Sequence, residues 1–377
     1  MSSDEVTAWR ADTPFLRTCT FLNHAAIAPI SLSVQRAMMR GTENLLAVMA
    51  RSSAEAQAEY ALGRARAAAL VGARDGRVAY VQNTSIGMSM VALGIDAAPG
   101  ENVVVPEMDF PSNFLPWLQL EARGVEVRRV AAADGRITAD GLAACIDRRT
   151  RVVALSHVQY YNGYKVDPAP IAELCHRAGA LLVVDGTQSV GAMSLDMGAA
   201  DIDVLVVASH KWLMGPVGAG FMAFSDRAMN RVQPRLVGWL SVKDPYAFNR
   251  TLDFLDTAER FEPGSENCAG IYGLSQRLAT IQEIGIGRIE RRVLSLVRHL
   301  LEGMAASGLE PTVRLAEGER SGIVLIRPPS PDPLAVHQRL ARNGIVTSLR
   351  GGAIRVSPHY HNTFEELDAL LEVLRDG

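Results

Sequence analysis

The chain has 377 residues, a net charge of −3, 48% hydrophobic residues and 21% charged residues. That length can bury a sizeable core and allows two or three domains. Lysine and arginine are scattered without a basic footprint, which argues against nucleic acid and against an anionic membrane as partners.

Met1 to Thr20 holds Asp4, Glu5, Arg10, Asp12 and Arg17 and no apolar core. It does not read as a secretory signal, so a cytoplasmic protein is expected. Phe15 to Pro29 reads as an arm that enters the fold and turns at Pro29, where Asn23 and His24 can hold the turn through side-chain hydrogen bonds. Ser31 and Ser53 stand where N-caps would, each ahead of an alanine- and arginine-rich stretch with apolar residues at helical spacing. Val78 to Val81 is a short strand, and Gln82-Asn83-Thr84-Ser85-Ile86-Gly87 leads from it into a helix from Met88 to Ile95. The hydroxyls of Thr84 and Ser85, with free amides at a helix N-terminus, suit an anion such as phosphate. Helix capping alone would also account for either hydroxyl.

Asn102 to Val105, Val125 to Val130 and Val152 to Leu155 read as further strands, with a helical segment around Leu142 to Ile146. The first is followed by P-E-M-D-F-P-S-N-F-L-P-W (Pro106 to Trp117) and the third by S-H-V-Q-Y-Y-N-G-Y (Ser156 to Tyr164). A helix from Pro168 to Ala178 precedes the apolar run Leu181 to Val184, which ends in Asp185; a second run, Val204 to Ala208, ends just before Ser209-His210-Lys211. Such runs are far too short to span a bilayer and read as buried strands, whose carboxyl ends are where open α/β sheets bind ligands. Neighbouring parallel strands would bring Asp185 and Lys211 to one crevice. The alternation of strand and helix from Val78 to Phe224 argues a doubly wound, mostly parallel α/β domain. Its last member, Gly218 to Phe224, follows the lysine turn and is free to run antiparallel.

Arg227 to Thr257 has weak periodicity and carries Trp239, Tyr246 and Phe248, so it reads as a loop-rich connection. Ser265 stands ahead of a helix from Cys268 to Ile284, which it could cap. Arg288 to Ala306 is amphipathic and crosses to a smaller C-terminal domain. That domain has strands at Ile323 to Ile326, Ile345 to Ser348 and Ala353 to Ser357, and helices at Pro333 to Arg342 and Glu365 to Leu374. The pair His359 and His361 lacks a third ligand, and the four cysteines show no metal spacing, so no metal site is expected. The G-P-V-G-A-G run after Lys211 lacks the G-K-[ST] ending of a P-loop.

V-D-G-T-Q-S (Val184 to Ser189) followed by S-H-K-W-L-M-G-P-V-G-A-G (Ser209 to Gly220) resembles the cofactor region of pyridoxal-phosphate (PLP) enzymes of the class V aminotransferase and cysteine desulfurase superfamily. The resemblance covers nearly the whole chain and implies PLP fold type I: a large doubly wound domain plus a smaller C-terminal α+β domain. The expected division is an N-terminal arm (1–30) and a large PLP-binding domain (31–260). A segment contributing to the partner's site and a connecting helix (261–306) follow, then the small domain (307–377), which the arm joins.

By that resemblance, Lys211 forms the Schiff base, Asp185 pairs with the pyridine nitrogen, and Gln188 hydrogen-bonds the phenolic oxygen. Thr84, Ser85 and His210 hold the phosphate. Ser265, in R-F-E-P-G-S-E-N, reaches the phosphate of a partner subunit, which implies a homodimer. Phe110 stacks on the cofactor ring, Arg355 clamps the substrate carboxylate, and Asn23 and His24 neighbour the substrate. Tyr160 occupies a position where desulfurases carry asparagine, and it touches cofactor or substrate. Ala208 replaces a desulfurase hydroxyl, leaving that contact absent or supplied by Ser209. The stretch Ser348 to Ile354 lacks the desulfurase cysteine. These departures place the chain nearer the isopenicillin N epimerase-like and kynureninase-like members. The expected reaction acts on an amino-acid substrate through an external aldimine and α-carbanion, with C–S β-elimination of an S-substituted cysteine first. Transamination, epimerisation and decarboxylation-coupled deamination are the alternatives, and a non-catalytic scaffold is the different-class reading.

Overall fold

Alternate residues of the apolar runs are buried on opposite faces of one sheet. Val104, Leu182, Val184, Leu205 and Val207 belong to one core, whereas Val103, Leu181, Val183, Val204 and Val206 belong to another. Successive strand residues point to opposite faces, so runs without a polar member require cover on both. The computed structural model describes residues 1–47, 54–132 and 134–375. Ser53, expected as a cap, lies outside them.

The sheet has seven strands in the order Val78–Val81, Gly220–Phe224, Val204–Ala208, Leu181–Asp185, Thr150–Ser156, Asn102–Pro106 and Glu126–Val130. Gly220–Phe224 is antiparallel to both of its neighbours, and every other pairing is parallel. The six remaining strands therefore point one way, and their carboxyl ends share one edge. The α/β architecture read from the sequence is the one observed.

Three local differences bear on the site. The helix after Val81 begins at Thr84, earlier than expected, because Asn83 caps it by accepting the Ile86 N–H at 3.0 Å. Similarly, Asn267 rather than Ser265 caps Cys268–Ile284, accepting from the Gly270 N–H. The run Ile345 to Ser348 is not one strand. Ile345–Val346 pairs in parallel with Thr20–Phe21 of the arm, while Ser348–Arg350 forms an antiparallel hairpin with Ala353–Val356.

The hairpin turn is Gly351-Gly352, with φ of +53° and +77°. A two-residue turn of this hand needs positive φ at both positions, which glycine adopts without steric cost. Gly351 is also held by space, since a Cβ there would lie 2.4 Å from the Tyr161 hydroxyl. Val324–Ile326 completes the small sheet on the other side of Ala353–Val356. The helices Ile286–Ala306, Pro333–Arg342 and Phe364–Arg375 cover it with a separate apolar core.

An N-terminal helix, Ser3–Ala11, was not expected from the sequence. Its only buried residue is Val6, so it carries little periodic signal, and Ser2 with Glu5 forms a capping box at its start. Arg10 docks it by an ion pair to Glu366 at 2.9 Å and a hydrogen bond to the His361 carbonyl.

Candidate active site

The shared carboxyl edge opens on a cavity of about 280 Å³. Five of the strands deliver residues to it at or just past their carboxyl ends. Val78–Val81 gives Thr84 and Ser85, Asn102–Pro106 gives Phe110, and Thr150–Ser156 gives Ser156 and Tyr160. Leu181–Asp185 gives Asp185, Thr187 and Gln188, and Val204–Ala208 gives His210 and Lys211. Arg350 and Arg355 enter from the small-domain hairpin. Nine of the twelve residues singled out in the sequence thus meet here; Asn23, His24 and Ser265 are the exceptions described below.

Lys211 is placed with its Nζ 5.1 Å from the centroid of the Phe110 ring. Burial lowers its pKa to about 8; Asp185 opposes that shift, and Arg355 and Arg350 add to it. Asp185 is buried, and its Oδ1 accepts the Thr187 N–H at 2.8 Å. Burial raises its pKa despite that hydrogen bond and the nearby Lys211. Gln188 is fixed at both ends: its Oε1 accepts the Trp212 indole N–H at 2.8 Å, and its Nε2 donates to the Ala25 carbonyl at 3.0 Å.

Thr84 Oγ1 and Thr187 Oγ1 lie 2.7 Å apart, and Thr187 Oγ1 also accepts the Ala208 N–H. Ser85 Oγ shares a hydrogen bond with Ser112 Oγ at 2.7 Å. The His210 ring, whose pKa is lowered by burial, has a buried Nδ1 without a partner. Ser209 does not replace the hydroxyl missing at Ala208. It is fully buried and donates to the Pro216 carbonyl, away from the cavity.

Arg355 is 1% exposed. Its Nε donates to Ser348 Oγ at 3.2 Å and its Nη1 to the Tyr160 carbonyl at 2.8 Å, while the buried Nη2 has no partner. Burial first, and then Arg350, bring its pKa down to about 10. Tyr160 packs edge-on against Phe110, with centroids 5.1 Å apart, so the two aromatics form one wall.

Asn23 and His24 are not part of the lining, which takes Ala25, Ala26 and Ile27 from the arm instead. His24 is fully buried one layer behind, bonded through Nδ1 to the Ser357 carbonyl and packed against His359 and His361. The parallel bridge Asn23↔Ser357 holds the arm in that inner position. Ser265 is exposed outside the cavity, so any role it has requires a second subunit. None of the four cysteines lines the cavity. Among the described residues, no group of three or more His, Cys, Asp or Glu is placed to hold a metal, and no helix is long and apolar enough to cross a membrane.

Sequence reading missed Arg350, Thr187 and Asp109. Thr187 stood in plain view between Asp185 and Gln188. Arg350 had a signal in the Gly351-Gly352 turn, which sets Arg350 opposite Ala353 and hence on the face that carries Arg355. Asp109 is buried beneath the cavity, where its carboxylate accepts from Gln159, Asn113 and the Ser156 N–H. Burial raises its pKa to about 7, and Asp185 pushes it the same way.

The residues fit PLP. A buried carboxylate without an ion-pair partner suits a protonated ring nitrogen, a lysine with a lowered pKa suits an aldehyde, and a helix N-terminus with two hydroxyls suits a phosphate.

Comparison with known proteins agrees with this geometry. The aminotransferase class-V family matches residues 20–370. A probable cysteine desulfurase of Methanothermobacter thermautotrophicus is 30% identical over 406 aligned residues, covering 97% of this chain and 96% of that protein. The uncharacterized aminotransferase YcbU of Bacillus subtilis is 27% identical, with 94% and 93% covered. Among solved structures, the apo cysteine desulfurase of Thermococcus onnurineus NA1 has a TM-score of 0.90 at 24% identity, covering 100% of this chain and 98% of that one. The cystine C–S lyase C-DES in complex with cysteine persulfide has a TM-score of 0.89 at 23% identity, with 97% and 99% covered. These two solved structures share the fold. With residues 20–370 matched, the chain belongs to the aminotransferase class-V family.

Proposed function

We propose that this chain, of a family that uses PLP and acts on amino acids, is a PLP-dependent lyase that cleaves the C–S bond of an S-substituted cysteine by β-elimination. One observation carries the substrate class: Lys211 and the unpaired Nη2 of buried Arg355 face the same cavity, one suited to an amino-acid nitrogen's chemistry and the other to its carboxylate.

Asp185 would hold the proton of the ring nitrogen, Gln188 would offer its remaining Nε2 hydrogen to the phenolic oxygen, and Thr84, Ser85 and His210 would bind the phosphate. Phe110 and Tyr160 would wall the ring. When bound, PLP supplies a sink for the electron pair left at the substrate α-carbon. Lys211 Nζ takes the α-proton, a task suited to an amine whose pKa lies near the operating pH. Arg355 receives the α-carboxylate on its Nη1–Nη2 edge, the planar fork that matches a carboxylate. The β-carbon–sulfur bond breaks, sulfur leaves with the bonding pair, and addition of water gives thiol, pyruvate and ammonia overall.

Persulfide transfer to a cysteine is disfavoured because no cysteine reaches the cavity. This supports placing the chain nearer the epimerase-like and kynureninase-like members. Purified holoenzyme given S-substituted cysteines should release thiol and pyruvate. Keto acid formed from an intact substrate would indicate transamination instead, and inverted substrate would indicate epimerisation.

The same reading proposes a homodimer with Ser265 at the partner's phosphate. Trp239, Tyr246, Phe248 and Leu252 are exposed apolar residues of the preceding segment, and the Pro263 carbonyl accepts the Leu240 N–H, which ties that segment to the Ser265 turn. Mixing inactive Lys211→Ala and Ser265→Ala subunits should restore a wild-type site in the mixed dimer. A fully active monomer would contradict it.

A further inference from the structure

The cavity holds three fixed cationic side chains, Lys211, Arg350 and Arg355, and one carboxylate among its lining residues, Asp185. Asp185 is assigned above to the cofactor. Arg355 keeps its unpartnered Nη2 for one carboxylate. That leaves Arg350, which is half-buried and donates only through Nη1 to the neighbouring Leu349 carbonyl at 2.8 Å. Among the described residues, Arg350 has no ion pair with an acidic side chain, unlike Arg64 with Glu262 and Arg128 with Asp147.

The hairpin register gives this cation a defined place. Ser348 lies opposite Arg355 and Arg350 lies opposite Ala353, so all four side chains share one face of the ribbon. Arg350 is therefore the diagonal neighbour of Arg355, at a Cβ spacing of roughly 7–8 Å. Tyr161 packs close against Gly351 in the turn that follows Arg350. Two guanidinium groups at a fixed separation, one already suited to an α-carboxylate, describe a receptor for a molecule with two anionic ends.

We propose that Arg350 selects substrates whose side chain ends in a second anionic group, so that the preferred substrate is an S-substituted cysteine bearing a distal carboxylate or a comparable anion. This rests on the reading that Arg355 receives the α-carboxylate. Without a substrate, Arg350 and Arg355 repel one another, consistent with the lowered pKa of Arg355. A dianionic substrate relieves that repulsion at both ends, whereas a neutral side chain relieves it at one.

The test compares S-carboxymethylcysteine with S-ethylcysteine, which are similar in length and differ in the distal charge, on wild-type holoenzyme and on Arg350→Gln and Arg350→Lys. Wild type should favour the carboxymethyl substrate in kcat/KM by about tenfold or more, the magnitude of one added charge-assisted hydrogen bond. Arg350→Gln should erase that preference by lowering kcat/KM for S-carboxymethylcysteine about tenfold more than for S-ethylcysteine, and Arg350→Lys should retain part of it. Equal losses on both substrates would overturn the proposal, because Arg350 would then serve the α-carboxylate or the fold. A binding arm separates this from failure of the elimination reading. Glutarate and butyrate are titrated against holoenzyme by thermal shift, which requires no turnover. Stronger stabilisation by glutarate in wild type, lost in Arg350→Gln, supports the second anion subsite even if neither cysteine conjugate is cleaved. Equal effects of the two acids would contradict it.

Discussion

The indole N–H of Trp212 donates to Gln188 Oε1 at 2.8 Å, and this bond fixes which end of the amide faces the cavity. Indole nitrogen is only a donor, so it must meet the amide oxygen. The NH2 end is thereby turned to Ala25 and the cavity, and Gln188 presents a donor and no acceptor to a ligand. The residue next to Lys211 thus sets the polarity of the residue three past Asp185.

Trp212→Phe keeps a ring in this fully buried site and removes the N–H. The unpaired oxygen should cost about 1–3 kcal/mol of stability. With PLP bound, the pH midpoint of the visible band should move by about half a unit or more as the amide becomes free to turn. An unchanged spectrum and titration would show that Gln188 does not contact the cofactor.

Arg355→Lys keeps the charge and loses the planar fork. Truncating one side of a buried charged contact costs about 2–5 kcal/mol, so kcat/KM should fall by about 30-fold or more. Because the α-carboxylate is bound in ground and transition states alike, the loss should appear mainly in KM. A loss confined to kcat would point to a role at the reacting atoms.

Lys211 has a pKa of about 8, with burial the largest cause and Arg355 and Arg350 adding to it. The neutral amine is the form that captures an aldehyde. The rate of PLP uptake by apoenzyme should therefore rise with pH and reach half its maximum near pH 8. Arg350→Gln removes a like charge and should move that midpoint upward. A midpoint near the ordinary lysine value would contradict the placement of the amine.

His24, His359 and His361 form a buried cluster beneath the lysine turn, and burial lowers the pKa of all three, that of His24 to about 4. Unfolded histidine binds its proton near pH 6.5, before the folded residue does. Stability is then full above about pH 6.5 and falls as the pH drops toward 4, by about 2 kcal/mol at pH 5 for His24 alone. Urea midpoints at pH 7 and pH 5 measure this. His24→Asn should reduce the difference by about 2 kcal/mol, and an equal slope in that variant would assign the acid sensitivity elsewhere.

The sheet was legible because Leu181 to Val184 and Val204 to Ala208 are uninterrupted apolar runs, which only a strand covered on both faces accommodates. Asp185, Lys211 and Arg355 were legible through motif spacing. Features set by tertiary contact were not. The arm's inner position depends on a bridge between Asn23 and Ser357, far apart in sequence, and it replaces Asn23 and His24 at the cavity with Ala25 to Ile27. The caps Asn83 and Asn267 won over neighbouring hydroxyls because their side chains reach the N–H three residues on. Asp109 gave no signal at all, since a lone aspartate after a strand ordinarily reads as a turn.

In the proposed reaction Lys211 and Arg355 serve elimination from a cysteine conjugate. The most direct measurement is the product ratio from holoenzyme and S-carboxymethylcysteine, with thiol and pyruvate determined in the same sample. Equal amounts of the two are expected, formed without an added amino acceptor and abolished by Lys211→Ala. A sulfur-containing keto acid or recovered D-substrate, with no free thiol, would contradict it.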